Sequence, residues 1–342
     1  MICFSTLGFP QYGARCVRAF VRSTKERVAV VATRPDVPVK GMEELAECEV
    51  YWVTLNDVVS LKELLGEIPR VLTVPGWRFG LFNRFRDEVH ANGGKVIAGA
   101  DNNFLPTFKT FLKMLQFRLL YKNKYDGFWV PKKSGYKLMR FYGVPKDKIF
   151  TGSYSADASL FVNGPSLVER RKRILYVGRF IPLKNVHRLC SAFLSVDSNI
   201  REGWSLELYG CGPLRDSYPK DKSIVIHDFV QPEQLASVYQ SARVFVLPSE
   251  WDHWGFVLHE AALSGCVILA SRRCGASLDF IEDGVNGYAF SPFSTSQMKK
   301  ALMNVMTMDD EQLAHAQQKS LELAHQVSLQ SFVDSVKKFS AC

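Results

Sequence analysis

No stretch of this sequence approaches eighteen consecutive apolar residues, so none reads as a helix that crosses a bilayer. The eight cysteines include no C-x-x-C pair and no Cys/His cluster, a spacing that argues against a zinc site and for reduced thiols in a cytosol. The opening residues, MICFSTLGFPQYGAR, have no basic region ahead of their short apolar run and read as a first strand, not as a signal peptide. No G-x-G-x-x-G follows that strand, which disfavours a nicotinamide-dependent enzyme. No D-x-D pair or ligand cluster offers itself to a metal. Acids are scarce in one region above all. Residues 109–148 hold only Asp126 and Asp147 against eleven Lys and Arg, and that excess equals the net charge of the whole chain, +9. Residues 166–342 are balanced.

What is present is the composition of an ordinary globular protein, 47% apolar and 23% charged, in a chain of 342 residues, enough for two cores. Short β-rich runs at Met1–Leu7, Val28–Thr33, Val50–Val53, Val71–Val74 and 93–103 alternate with helical stretches. A turn holding Gly8, Pro10 and Gly13 separates the first strand from a helix expected near Ala14. The strand within GGKVIAGADNN runs into Asp101 and Asn102, residues that suit either a turn or a hydrogen-bonded ligand. Residues 104–142 combine aromatics with cations. Phe108, Phe111, Leu112, Leu115 and Leu119 recur at helical spacing, predicting an amphipathic helix with Lys109, Lys113 and Arg118 among them. Such an apolar face is ordinarily core; with this much positive charge the competing partner is an anionic membrane surface. Nucleic acid is not indicated, because no recognisable binding motif accompanies the bases and rings. The polar, turn-rich NGPSLVERR at 164–172 reads as the interdomain linker.

The second half is organised around residues 244–290. Val244–Leu247 predicts a buried strand ended by Pro248. A loop with Glu250 and Asp252 follows, then Gly255, a helix-forming FVLHEAAL, Gly265, and the apolar strand Cys266–Ala270. A strand, loop, helix and strand in this order put the N–H groups of Gly255, Phe256 and Val257 at the carboxyl end of a parallel sheet, where open α/β folds take ligands and where phosphate is favoured. Asp252 and Glu260 frame that point eight positions apart. Carboxylates repel phosphate, so their partners there are neutral hydroxyls; the plainer alternative makes Asp252 a turn residue and Glu260 a solvated helix acid. Upstream, Arg179 and Lys184 stand at a strand end and a helix entrance, where two cations can neutralise a diphosphate. Gly210 lies in LELYGCGP, whose glycines let backbone approach a ligand.

The arrangement PSEWDHWGFVLHEAALSGC resembles the E-x7-E region of the retaining GT-B glycosyltransferases, the family called glycosyl transferases group one or family four. VGRFIPLKN at 177–185, LELYGCGPLRD at 206–216 and IEDGVNGYAF at 281–290 match in the family's order, so the likeness covers about half the chain, essentially its second half. It implies an α/β protein with two Rossmann-like domains facing a cleft: residues 1–165 on the acceptor side, 166–325 binding the nucleotide sugar, and 326–342 a helix crossing back to pack on the first domain. The implied reaction is transfer of a glycosyl group from a nucleotide sugar to a glycan or lipid-linked acceptor, with retention, in surface polysaccharide or glycoconjugate biosynthesis, at the cytoplasmic face of a membrane. No metal or cofactor is implied. By the same resemblance Arg179 and Lys184 are the diphosphate pair, Glu260 holds ribose hydroxyls, Asp252 holds hydroxyls of the sugar, Gly13 approaches the donor phosphates, and Asp101 contacts acceptor or sugar. Two positions depart from the pattern: the family usually has glutamate where Asp252 stands, and a histidine where Ala100 precedes Asp101. Those departures keep open a non-catalytic nucleotide-sugar or membrane-surface binding protein on the same fold.

Overall fold

The computed structural model describes residues 1–35 and 40–341, and within them the chain forms two compact units. The first comprises Met1–Asp157 together with the chain from Ser328 onward, and the second is Ala158–Val327. The first holds β1 (Ile2–Thr6), β2 (Val28–Ala32), β3 (Glu49–Trp52), β4 (Val71–Val74), β5 (Lys95–Gly99), β6 (Gly127–Val130) and β7 (Ile149–Thr151). All pair in parallel in the order β3-β2-β1-β4-β5-β6-β7. The second holds β8 (Arg171–Val177), β9 (Ser205–Tyr209), β10 (Ile224–His227), β11 (Ala242–Leu247), β12 (Val267–Ser271) and β13 (Gly287–Phe290). These too are parallel, in the order β10-β9-β8-β11-β12-β13. The central strands are buried without alternation, as VAVVA in β2 and VILAS in β12, because helices cover both faces of a parallel sheet. Both units are Rossmann-like, which is the pair of domains the GT-B expectation calls for. In each sheet the strand order reverses once, between β1 and β4 and between β8 and β11, and such reversals are where open α/β sheets receive ligands.

The expected boundary at 165/166 falls instead at 157/158, and residues 164–172 are not a linker. Arg170, 4% exposed, donates from Nε to the Pro165 carbonyl at 2.9 Å, from Nη1 to Ala242 at 3.1 Å and from Nη2 to Ser264 at 2.8 Å. A polar, turn-rich run reads the same in sequence whether water or protein satisfies it; here protein does. The helical pattern over Glu311–Lys338 divides into Asp310–His325 and Leu329–Ala341. Ser328 ends the continuity by accepting the Ser331 N–H at its hydroxyl, an N-cap that starts a new helix.

That last helix packs on the first unit, as expected; Cys342, the end of the expected span, lies outside the described residues. Phe332, Val333, Val336 and Phe339 enter a core with Phe4, Trp129 and Phe150. The Trp129 ring lies 4.8 Å from Phe332 and 5.3 Å from Phe339, and Phe150 lies 5.5 Å from Phe339. On the opposite face of the sheet, Phe82, Phe85, Phe117, Phe128 and Leu138 form a separate cluster. Phe117 belongs to the helix Phe108–Leu120, whose only buried residues are Met114 and Phe117. The core reading of its periodic apolar stripe is therefore wrong: Phe108, Phe111, Leu112, Leu115 and Leu119 face outward.

Candidate active site

The loops after β8 and β11 leave adjacent strands at the reversal of the second sheet. The first begins at Gly178, whose N–H donates to Tyr209 at 3.0 Å, and Phe180 N–H donates to Cys211 at 2.7 Å, so the turn is laced to the loop after β9. Phe180 is fully buried, and the buried Tyr176 hydroxyl donates to the Arg179 carbonyl at 2.9 Å. The Arg179 backbone is thus pinned while its side chain is exposed. Gly210 lies where the two loops cross: a Cβ there would stand 1.9 Å from the Gly178 carbonyl oxygen. The close approach that demands glycine at 210 is to the protein's own backbone, which corrects the reading that a ligand demands it.

A 3-10 turn, Pro182–Lys184, brings Lys184 to the helix Val186–Leu194. Asn185 between them is left-handed (φ 58°), and its side-chain amide donates to Pro248 at 3.2 Å and Pro292 at 2.8 Å. One side chain therefore ties together the loops that follow β8, β11 and β13. The sequence offered a signal, an Asn directly before an apolar helix, but that pattern reads as a helix cap and not as a clasp between loops.

The fold joins Lys184 and Asp252. Lys184 Nζ donates to Asp252 Oδ2 at 2.5 Å, and Ser249 Oγ donates to the same oxygen at 3.3 Å. Asp252 is held on both sides of its backbone, its N–H donating to Arg273 at 3.2 Å and its carbonyl accepting from Gly275 at 3.3 Å. The two side chains are 16% and 17% exposed. An ammonium has three donors and a carboxylate two oxygens. After pairing, Lys184 retains donors for an anion and Asp252 retains Oδ1 for a hydroxyl, so the pair can grip an anionic and a neutral group side by side.

Gly255 precedes the helix Val257–Leu263 at φ 83°, and a Cβ there would come within 2.9 Å of Leu247 Cδ2. Phe256 and Val257 are half-buried at the helix entrance. Glu260 lies in the first turn of this seven-residue helix, which starts at Val257. It is not a solvated acid. Glu260 is 7% exposed and accepts the Tyr239 hydroxyl at Oε2, 2.8 Å. Burial raises its pKa from 4.5 to about 7 despite that hydrogen bond, which works the other way. Tyr239, from the helix Pro232–Ser241, went unrecognised in the sequence because nothing in its local pattern points at a residue 21 positions away.

Two expected residues belong to the first unit. Gly13 is inside the helix Gln11–Val21, which starts earlier than expected, and a Cβ there would stand 3.3 Å from the Phe9 ring. Asp101, half-buried just past the carboxyl end of β5, lies close enough for its charge to add to the desolvation that holds the half-buried Tyr154 phenol protonated. Among the described residues no group of three His, Cys, Asp or Glu is placed to hold a metal ion.

The chain is similar to known proteins in sequence and in fold. The family described as "Glycosyl transferases group 1" matches residues 162–323, which spans β8 to β13 and both members of the Lys184–Asp252 pair. The chain is similar to D-inositol 3-phosphate glycosyltransferase of Corynebacterium glutamicum, 26% identical over 51% of this chain and 47% of that protein. It is also similar to the GDP-mannose-dependent alpha-mannosyltransferase of the same species, 30% identical over 44% of this chain and 36% of that one. The chain thus spans less than half the length of these curated relatives. Among solved structures, Anabaena HepE in complex with UDP has the same fold over 100% of both chains, with TM-score 0.76 at 14% identity. Sucrose-phosphate synthase from Thermosynechococcus elongatus covers 99% of this chain and 98% of its own, with TM-score 0.72 at 13% identity. Through residues 162–323, just under half of its length, the chain matches the glycosyl transferases group 1 family.

Proposed function

We propose that this protein transfers a glycosyl group from a nucleotide sugar to a glycan or lipid-linked acceptor, with retention at the anomeric carbon. The observation that carries the reading is the Lys184–Asp252 pair at the sheet reversal, next to the loop and helix that bury Glu260. Support comes from the relatives' activities and from HepE, which has been solved with UDP and with UDP-glucose. In this reading Lys184 and Arg179 neutralise the diphosphate as the sugar bond breaks and negative charge grows on the leaving oxygen. The N–H groups of Gly255, Phe256 and Val257 face the same phosphates. Asp252 accepts hydroxyls of the transferred sugar at Oδ1, and Glu260 accepts ribose hydroxyls at Oε1, the oxygen Tyr239 does not use. Gly210 keeps the crossing loops thin beside the donor. For Gly13 the proposed contact is donor phosphate, and for Asp101 it is the acceptor or the transferred sugar. The setting is the cytoplasmic face of a membrane, in polysaccharide or glycoconjugate assembly; no helix of the described residues is long and apolar enough to cross the membrane itself.

The test is incubation with labelled nucleotide sugars and glycan acceptors, with and without EDTA. Release of nucleoside diphosphate with labelled product is expected in both, since cationic side chains do the work a metal does elsewhere. Loss of activity in EDTA that manganese restores would remove metal independence. Donor retained without nucleoside diphosphate release would leave a binding protein.

Glu260 supplies a pH test of the same site. Hydroxyls donate best to the ionised carboxylate, so binding favours the form that dominates above pH 7. Nucleotide affinity is expected to rise about tenfold between pH 6 and pH 8 and then level off. Glu260→Gln should flatten that rise, and Glu260→Ala should weaken binding by about 1.5–3 kcal/mol at pH 8. Calorimetry that finds the same affinity and slope in all three proteins would take Glu260 out of the site.

A further inference from the structure

We propose that the outward face of the helix Phe108–Leu120 is a docking surface for an anionic lipid bilayer. The helix has two apolar sides. Met114 and Phe117 pack inward, Phe117 within 4.9 Å of Trp77, ring to ring, and 5.3 Å of Phe128. On the other side Phe108 is 77% exposed and Leu119 83%, with Phe111, Leu112, Leu115 and Leu120 between 41% and 50%. Phe108, Phe111, Leu112, Leu115 and Leu119 are spaced as one continuous stripe of a helix, opposite the packed side. Most large apolar side chains in this protein are covered, so the concentration of six exposed ones on one helix marks a contact surface and not scatter.

Charge selects the occupant. Lys109 and Lys113 flank the stripe on one side by helical position; Arg118, on the other, donates from Nε and Nη2 to the Tyr142 and Phe141 carbonyls at 3.1 and 3.2 Å and keeps its charge near the stripe. Arg78 and Lys109 come near enough to Lys113 to add to the burial that lowers its pKa, so three cations crowd together there. Arg78, Lys109, Lys113, Lys122 and Lys124 form no ion pair among the described residues, and the sequence has no acid between Asp101 and Asp126. A second copy laid on this face would oppose cation to cation, whereas anionic headgroups around inserted side chains satisfy both features at once. The apolar residues enter the acyl boundary, and the cations stay at headgroup level. The surface rests on the transferase reading only for its purpose, which is to hold the enzyme where a lipid-linked acceptor is anchored; its existence is testable without any sugar donor.

The experiment is vesicle flotation of the full-length protein with liposomes of phosphatidylcholine alone or with about 30 mol% phosphatidylglycerol. Binding to the anionic vesicles is expected at about 50 mM NaCl, falling at least tenfold by about 300 mM, with little binding to neutral ones. The double variant Phe108→Gln, Leu119→Gln changes two exposed side chains and should keep the fold. It is expected to lose at least tenfold in vesicle affinity while its turnover on a small soluble acceptor is unchanged. Lys109→Glu with Lys113→Glu should abolish the preference for anionic lipid. Absence of binding to anionic vesicles at low salt would overturn the proposal, as would undiminished binding by the Gln variant. So would a wild-type dimer in sedimentation that the Gln variant dissolves, since the face would then belong to a second copy. Failure of transfer in every assay, with vesicle binding as expected, would strike the transferase reading and leave this surface standing.

Discussion

Lys184→Ala is expected to lower glycosyl transfer by about 10²- to 10³-fold in a protein that remains folded, the cost of removing one charge-stabilising donor from a reacting oxyanion. The structure adds a reason for the upper end of that range. Lys184 is the partner of Asp252, and both side chains are more than four-fifths covered. Taking away the ammonium leaves a carboxylate unpaired beside the position assigned to two phosphates, so the variant loses an attraction and gains a repulsion. Lys184→Ala combined with Asp252→Ala should therefore lose less than the product of the two single effects, because the first change has already broken the pair. Initial rates at saturating acceptor, with circular dichroism to verify the fold, make the measurement. Full turnover by a folded Lys184→Ala protein would falsify the phosphate role.

Removal of the chain from Leu329 onward is expected to unfold the first unit and spare the second. Phe332, Val333, Val336 and Phe339 are each 4% exposed or less and belong to one cluster with Phe4, Trp129 and Phe150. Truncating a single buried phenylalanine typically costs about 3–5 kcal/mol. Two lost together with two valines are of the same size as the roughly 5–15 kcal/mol that hold a domain. Arg70 also loses the Ser340 carbonyl to which Nη1 donates at 2.9 Å. The second unit has its own sheet and none of these contacts. Heating followed by calorimetry should show one unfolding transition vanish and one persist, and limited proteolysis should digest 1–157 while 158–327 survives. Protection of both units in the truncated protein would mean that the helix is dispensable to the core.

Much of this was legible because parallel sheets leave a simple trace. Val71–Val74 reads as a strand because it is buried on both faces, and the Val186, Leu189 and Phe193 spacing reads as a helix because one face is buried. What went unread depends on contacts distant in sequence. Glu260 looks like any surface helix acid until Tyr239 and burial are known, and Gly210 looks ligand-facing until the Gly178 carbonyl is found beneath it. Residues 164–172 deceived for a similar reason: Arg170 finds its acceptors in Ala242 and Ser264, more than seventy positions on. The stripe on Phe108–Leu120 shows the limit of periodicity itself, which reports that a helix has an apolar side without reporting what covers it.

The return of the last helix to the first unit also fixes an order of events during synthesis. A ribosome delivers residues 1–157 first, yet the core they build still lacks Phe332 and Phe339 until the residues past 339 have emerged. The second unit, complete at Val327, can close while the earlier half of the polypeptide waits with Trp129 and Phe150 uncovered. Nascent chains arrested beyond residue 327, with enough linker to clear the exit tunnel, should thus resist protease in 158–327 and remain cleavable in 1–157. Releasing the final residues should convert the second pattern into the first. Equal protection of both stretches before release would show that the first unit closes unaided.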